Sequence, residues 1–95
     1  MLFANRIKQL REERELLQRH LAAALEIDTP MYSKIERGDR QAKREQAVKL
    51  AELFEIDCEE LLSLWLADRV IAIVAEEKDI AYRVLNVVKE DLIKK

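Results

Sequence analysis

The sequence predicts a small all-α domain, and two observations support that prediction. Ala, Glu, Lys, Leu and Arg make up 55 of the 95 residues, a composition typical of helices. The chain has a single glycine, Gly38, and a single proline, Pro30. Because the turns of a sheet protein need such residues at particular positions, this scarcity disfavours strands. The length fits one domain with a modest core.

Apolar residues recur at helical spacing along the first half of the chain, and four helices are predicted there. Their predicted bounds are residues 3–14, 18–25, 29–37 and 43–55. The third helix has the clearest boundaries. Asp28 is a good N-cap, Pro30 is tolerated in the first turn, and Gly38 can take the left-handed conformation that ends a helix.

The second half of the chain predicts two more helices. Asp57 begins the fifth and forms a capping-box-like pair with Glu60. Residues 61–75 are apolar on nearly every side, so this helix should be covered on two sides. The last helix is predicted over residues 80–93. Because the break between the two contains neither Gly nor Pro, one continuous helix over residues 58–93 remains an alternative.

Charge is unevenly distributed along the chain. Residues 1–50 carry 11 Lys/Arg and 8 Asp/Glu, a net of +3, whereas residues 51–95 carry 6 and 11, a net of −5. The first half could therefore face phosphate, and the second half should not. Ordinary scatter of surface charge would explain the same distribution.

Other features of the composition argue against several classes of protein. Cys58 is the only cysteine, so no disulfide can form within the chain and a reducing compartment is expected. The N-terminus has no signal-peptide core, and the apolar stretch 61–75 is shorter than the roughly 20 residues of a membrane span. We expect a cytoplasmic protein. His20 is isolated, Ser33 has no evident His–Asp partners, and metal-ligand spacing is lacking, so we expect no enzyme activity, metal, cofactor or small-molecule ligand.

Residues 18–38 contain the main functional signal, which is a pair of short helices separated by about three residues. On a wheel of the second helix at about 100° per residue, one face is small, polar or basic and the other is bulky and apolar. The polar face carries Thr29, Pro30, Ser33, Lys34 and Arg37. Small outward residues at the start of a helix suit entry into a DNA groove about 12 Å wide. An ordinary surface helix is also amphipathic, so this pattern alone is weak.

Taken together, these elements resemble the Xre, or lambda-repressor-like, helix-turn-helix family. The matching residues are Ile7 to Arg11, Gln18, Leu21, Ala22, Ile27, Tyr32 to Gly38, Leu50 and Ala51. The resemblance covers residues 3–66. It implies a five-helix DNA-binding domain, placed here at residues 1–66, with residues 67–95 as a helical extension. Small free-standing family members include repressors, restriction–modification controllers and DNA-binding antitoxins, so a bacterial or phage regulator is expected.

The resemblance also implies roles for particular residues. The third helix would lie in the major groove of double-stranded DNA. Family members read bases from the positions held here by Thr29, Pro30, Ser33 and Lys34. Gln18 occupies a position from which family members contact phosphate. Arg11 and Glu36 occupy the positions at which family members form an ion pair between helices one and three. The basic residues nearby are further candidates for phosphate contact, although they could form a solvated surface. These are Arg19, Arg37, Arg40, Lys43 and Arg44.

Three residues depart from the family pattern. The family has glycine between helices one and two and again between helices two and three, where this chain has Glu15 and Glu26. Leu17 replaces the Ser, Thr or Asn that caps helix two. A non-glycine residue at positive φ costs on the order of 1 kcal/mol. Either that cost is accepted or the turns differ in shape.

Apolar surface beyond the needs of the core predicts a homodimer through the C-terminal helices. The predicted interface residues are Leu62, Trp65, Leu66, Val70, Ile71, Val74, Val84, Leu85, Val88 and Leu92. Alternatively, the last helix could cover helix five within one chain. A dimer would present two recognition helices, about 34 Å apart, to a near-palindromic operator. The alternative function is a DNA-binding antitoxin or an interaction module whose acidic C-terminal half binds a protein partner.

Overall fold

The structure, a computed structural model, describes residues 1–94 and is built from helices. They are α1 (Leu2–Glu13), α2 (Gln18–Leu25), α3 (Thr29–Arg37), α4 (Arg44–Phe54), α5 (Cys58–Val74) and α6 (Ala81–Lys94), with a 3₁₀ turn at Ala75–Glu77. The predicted all-α class is confirmed, and no strand occurs in the described range. Where both ends of a helix were predicted, each lies within one residue of the observed end.

The core lies between the first five helices, and each contributes a fully buried side chain. These are Ile7, Leu21, Tyr32, Leu50 and Leu61. α3 packs against α1 and α2, whereas α5 packs against α1 and α4. The recognition-helix candidate is therefore held from behind by two helices, which leaves its other side open to solvent.

Helices α1 to α4 all end with one residue in the left-handed conformation. Gly38 has φ 82° after α3, whereas Glu15, Glu26 and Glu55 have φ of 54°, 58° and 56° after α1, α2 and α4. In each case the next N–H donates to the carbonyl oxygen five residues earlier, which closes a Schellman turn. The family's glycine turns therefore keep their shape here with glutamate in place.

Two of these turns share the sequence Glu-Ile-Asp, at residues 26–28 and 55–57. In both, the glutamate is left-handed, the isoleucine packs against the core and the aspartate caps the next helix. The capping carboxylate accepts a backbone N–H at 2.7 Å in the first turn and 3.2 Å in the second. The same Glu-Ile-Asp motif thus sets the start of both α3 and α5.

Replacing Glu55 by glycine is expected to raise the free energy of unfolding by about 0.5–1 kcal/mol, because glycine takes positive φ without a Cβ clash. The measurement is urea unfolding followed by circular dichroism. Glu52→Gly is the matched control. It lies at an exposed site inside α4 and is expected to lower stability by about 1 kcal/mol. Similar losses in both variants would show that the left-handed turn stores no strain.

The first turn of α1 is capped by a residue far along the chain. Met1 supplies no side-chain cap. The backbone N–H groups of Leu2 and Phe3 donate instead to the two carboxylate oxygens of Asp68, each at 2.9 Å. A carboxylate at a helix N-terminus satisfies free N–H groups and favours the helix dipole. α5 therefore continues to serve the five-helix core as far as Asp68, two residues beyond the predicted boundary at residue 66.

The two C-terminal helices are separate, so the alternative of one continuous helix is not what forms. The 3₁₀ turn Ala75–Glu77 and the following turn divide them. Nor does α6 fold back over α5, because Ala81 is the only residue from 81 to 94 that is even half-buried. The radius of gyration is 15.2 Å, against about 12 Å for a compact chain of this length. α6 thus projects from the core.

Candidate nucleic-acid interface

α3 is fixed at both ends and along one side. The Asp28 carboxylate accepts the Met31 N–H at its start, and Gly38 ends it in the left-handed conformation. Tyr32 and Ile35 are buried on its inner side. With its axis and rotation both set in this way, the helix presents one defined face to solvent.

The side chains predicted to read bases share that outer face. Thr29, Pro30 and Lys34 are exposed, and Ser33 is half-buried. Arg37 Nη1 donates to Ser33 Oγ at 3.1 Å, so Arg37 lies along the same face. Arg37 also pairs with Asp39 at 3.1 Å, with both side chains more than half exposed. The structure therefore brings the predicted base-reading residues together on one surface.

The basic loop after α3 is attached to α5. Trp65 Nε1 donates to the carbonyl oxygen of Ala42 at 2.7 Å, and the Arg69 guanidinium stacks on the Trp65 ring, 5.1 Å from its centre. The exposed phosphate candidates of this loop and the start of α4 are Arg40, Lys43 and Arg44. None of the three forms an ion pair with another described residue. Trp65, predicted at the dimer interface, thus also positions these cations.

The start of α2 lies beside the end of α3 and has no side-chain cap on its first N–H groups. The side chain of Leu17, the N-cap, has no hydrogen-bonding group, and the Leu17 backbone N–H donates to His20 Nδ1 at 2.9 Å. The Gln18 amide donates to Glu36 Oε1 at 3.3 Å. Arg19 is exposed next to it. A helix start with free N–H groups and a nearby cation suits contact with phosphate.

Arg11 and Glu36 form the ion pair that the family resemblance implied. Arg11 Nη2 lies 2.7 Å from Glu36 Oε1, and Nε lies 3.0 Å from Oε2. Arg11 Nη1 also donates to the Leu16 carbonyl oxygen at 3.0 Å. The side chains are 14% and 3% exposed. The pair therefore joins α1, its following turn and α3 in a nearly dry contact.

The charges of this cluster are fixed by their surroundings. Burial by itself would raise the pKa of Glu36, but hydrogen bonds, foremost from Arg11, hold that pKa below its ordinary value. The same hydrogen bond raises the pKa of Arg11, so the pair stays ionised. Burial, together with the Glu36 charge, raises the pKa of Tyr32. Within the described chain no atom meets the Tyr32 hydroxyl at hydrogen-bond geometry, and the ring is fully buried in the hydrophobic core.

A polar depression between α1, α2 and α3 adds a basic residue that the sequence analysis did not single out. Lys8 lines it together with Asn5, Arg11, Gln18 and Arg37, and with the carboxylates of Glu36 and Asp39 that pair with the two arginines. Asn5, Lys8 and Arg11 are spaced three residues apart on α1, which places them along one side of that helix. This three-residue spacing is the sequence pattern from which the position of Lys8 beside Arg11 could have been predicted. Exposed Lys8 extends the candidate phosphate surface from α2 onto α1.

The residues predicted at the dimer interface fall into two groups. Leu62 and Trp65 pack against the core and are half-buried, as is Val74 further along α5. The others are exposed apolar side chains of α5 and α6. They are Leu66, Val70, Ile71, Val84, Leu85, Val88 and Leu92. This second group is apolar surface that the described part of the chain leaves uncovered.

Over residues 1–94, no three His, Cys, Asp or Glu side chains stand close enough to hold a metal ion. No helix of that same range is long and apolar enough to cross a membrane. Cys58, at the first position of α5, is half-buried.

Two short helices joined by a fixed turn, the second presenting a small polar face beside exposed cations, define a helix-turn-helix DNA-binding protein. Residues 7–61, more than half of the chain, match a protein family described as helix-turn-helix. The chain belongs to the Xre, or lambda-repressor-like, helix-turn-helix family, whose members are DNA-binding transcription regulators and generally not enzymes. No curated protein and no solved structure matches it.

Proposed function

We propose that the protein is a sequence-specific transcription regulator that acts as a homodimer on a near-palindromic operator. The observation that supports this proposal is the outer face of α3. The helix is nine residues long, about 13 Å at 1.5 Å per residue, and the exposed side chains at its N-terminal end are small. A helix of this kind enters the major groove N-terminus first, so that Thr29, Pro30, Ser33 and Lys34 meet base edges.

Phosphate contacts from residues around α3 would fix its register in the groove. The candidates are Gln18 and Arg19 at the start of α2, Lys8 of α1, and Arg40 in the loop that leads into α4. Contacts of this type supply affinity without reading sequence and make binding salt-dependent.

A dimer is proposed because one recognition helix reads too few bases for a useful site. Two such helices about 34 Å apart read two half-sites one helical turn apart. Linking them makes the second contact intramolecular, which gains on the order of a hundredfold in affinity. The exposed apolar residues of α5 and α6 provide a surface for association, and the net negative charge of residues 51–95 suits a surface held away from DNA.

Selection of tight binders from random duplex DNA tests the proposed function directly. The expected product is an inverted repeat whose half-site centres lie about 10 base pairs apart, or a multiple of that. A variant carrying Ser33→Glu and Lys34→Glu places acidic groups on the outer face of α3 and is the control that should recover nothing. Failure of the wild-type chain to enrich any sequence would reject the function.

Lys34→Ala is expected to cost about 1–3 kcal/mol for each half-site of the selected operator and little on shuffled DNA, because it removes a base contact from each copy. Arg44→Ala is expected to weaken both DNAs alike and to reduce the log–log salt slope by about 2 for the dimer, because it removes one phosphate contact from each copy. Fluorescence anisotropy at several salt concentrations measures both. Lys49→Ala, an exposed lysine on α4, is the neutral control. An equal loss from Lys34→Ala on the two DNAs would reject its role in base reading.

A second candidate function is a DNA-binding antitoxin or a protein-interaction module. The observation that favours it is the same exposed apolar surface on α5 and α6, since a foreign protein could cover it as well as a second copy. The two candidates differ in the state of the purified protein. A regulator of the first kind is dimeric by itself, whereas an antitoxin of the second kind has that surface free until its partner binds.

A further inference from the structure

Two apolar surfaces on the C-terminal helices face solvent. The first, the α5 outer face, consists of Leu66, Val70, Ile71 and Ile73, which are 38–76% exposed. The second, the α6 face, consists of Val84, Leu85, Val88 and Leu92, which are 36–65% exposed. Contiguous apolar surface of this extent marks a site of association in soluble proteins.

The α6 face is a continuous apolar stripe, and Val87 and Ile93 are exposed apolar residues of α6 outside it. At about 100° per residue, its four side chains fall within an arc of roughly 100°. Asn86 lies on the opposite side of the helix and is exposed. An amphipathic helix of 14 residues gains little stability from propensity alone and needs a partner for its apolar side. Since α6 projects from its own core, that partner lies outside the five-helix unit of the same chain.

The α5 outer face can be buried without leaving any of its charged side chains buried and unpaired. Between Glu60 and Glu76 the only charged residues are Asp68 and Arg69, and both are engaged on the inner side. Asp68 accepts the first N–H groups of α1, and Arg69 stacks on Trp65. A buried unpaired charge would oppose association, and the α5 outer face contributes none.

The exposed apolar area fits a second copy of the chain. The eight side chains of the two surfaces are on average about half exposed, which amounts to roughly 700 Å² in one copy, against the ~800 Å² that a standard interface buries on each partner. A two-fold axis brings the same patch of both copies together. Pairing of α6 with α6 alone would leave the α5 outer face in water. Packing α6 of one copy on α5 of the other buries both surfaces.

We propose that the two copies exchange α6, so that α6 of each packs on the α5 outer face of the other and the four helices form one bundle. This inference rests on the homodimer of the proposed function and adds how it is built. The bundle contains two equivalent α5–α6 contacts, each made between different copies. Every chain both donates a helix and receives one.

Complementation between two full-length variants tests the exchange. The first carries Val70→Lys and Ile73→Lys on α5, and the second carries Val84→Glu and Val88→Glu on α6. All four positions are exposed in the single chain, so the core is untouched, and circular dichroism checks that each variant is helical. Either variant alone has both exchanged contacts broken, and we expect it to be monomeric at tens of micromolar by light scattering.

Mixing the two variants restores one wild-type contact and pairs lysine with glutamate in the other. Native mass spectrometry should then show a heterodimer as the main dimeric species. Asn86→Glu, on the opposite side of α6, is the control and should remain a homodimer. If the α5 variant alone is still dimeric, α6 pairs with α6 and the exchange is wrong. If the folded variants stay monomeric when mixed, the exchange is equally wrong.

These outcomes are independent of the DNA experiment. An inverted repeat recovered with the wild-type chain, together with failed complementation, would retain the regulator and reject the exchanged helices. A heterodimer formed by a chain that enriches no DNA sequence would retain the exchange and reject the proposed function.

Discussion

Replacing Glu36 by alanine is expected to lower the free energy of unfolding by about 3 kcal/mol, because it leaves the Arg11 guanidinium unpaired in a nearly dry contact. The loss would be measured by urea unfolding of the wild type, both single variants and the Arg11→Ala/Glu36→Ala double variant. If the pair acts as a unit, the double variant loses much less than the sum of the two single losses. Additive losses would contradict the coupling.

A matched control lies next to Glu36, at the same C-terminal end of α3. The Arg37–Asp39 pair has a similar distance, 3.1 Å, but its side chains are 58% and 63% exposed. Asp39→Ala should therefore change stability by no more than about 1 kcal/mol. The contrast separates the effect of burial from that of ion pairing. A large loss at Asp39 would mean that burial is not what gives Glu36 its importance.

The Glu36 contribution also predicts a pH dependence. Its pKa in the folded protein lies below the ordinary value of 4.5. A carboxylate with a lowered folded pKa stabilises the protein fully above its unfolded pKa, and that stability is lost as pH falls through the folded value. The wild type should thus lose more stability than Glu36→Ala below about pH 4.5.

The Val84→Glu/Val88→Glu variant is expected to bind the two-half-site operator on the order of a hundredfold more weakly than the wild type. The reason is that glutamate on the α6 face prevents association, so each recognition helix binds alone. Affinity for an isolated half-site should be unchanged, because α3 and its flanking cations are untouched. Anisotropy titrations on the two DNAs, with Asn86→Glu as control, measure this difference. Equal weakening on both DNAs would show that the substitutions damage the fold or the DNA surface instead.

The sequence predicted the helices and the faces of α3 well because their determinants are local. Asp28 and Gly38 act within one turn of the helix they delimit, and a period of 3.6 residues separates inner from outer side chains wherever the helix is real. The resemblance to the family added the pairing of Arg11 with Glu36, which local pattern alone would not give. The helix-turn-helix unit was therefore accessible from sequence.

What the sequence did not predict depends on contacts between distant residues. The bond from Trp65 to the Ala42 carbonyl and the cap that Asp68 supplies to α1 exist only once five helices have packed. The left-handed conformation of Glu55 was not predicted, because positive φ was expected only at the two positions where the family has glycine, although the Glu-Ile-Asp context of Glu55 repeats that of Glu26. The apolar pattern of α6 shows that it needs cover but does not say from which molecule.

The Asp68 cap has a consequence for how the protein is made. It joins Leu2 and Phe3 to a residue 66 and 65 positions later, and a chain is synthesised from its N-terminus at about 5–20 residues per second. All the helices that would touch DNA therefore leave the ribosome before the residue that secures α1. Until Asp68 emerges, the first turn of α1 has no cap and is free to fray. Because α3 packs against α1, the position of the α3 face is then less firmly fixed. On the proposed function, tight binding to DNA would therefore be expected only late in translation, when the helices that would join two copies are also emerging.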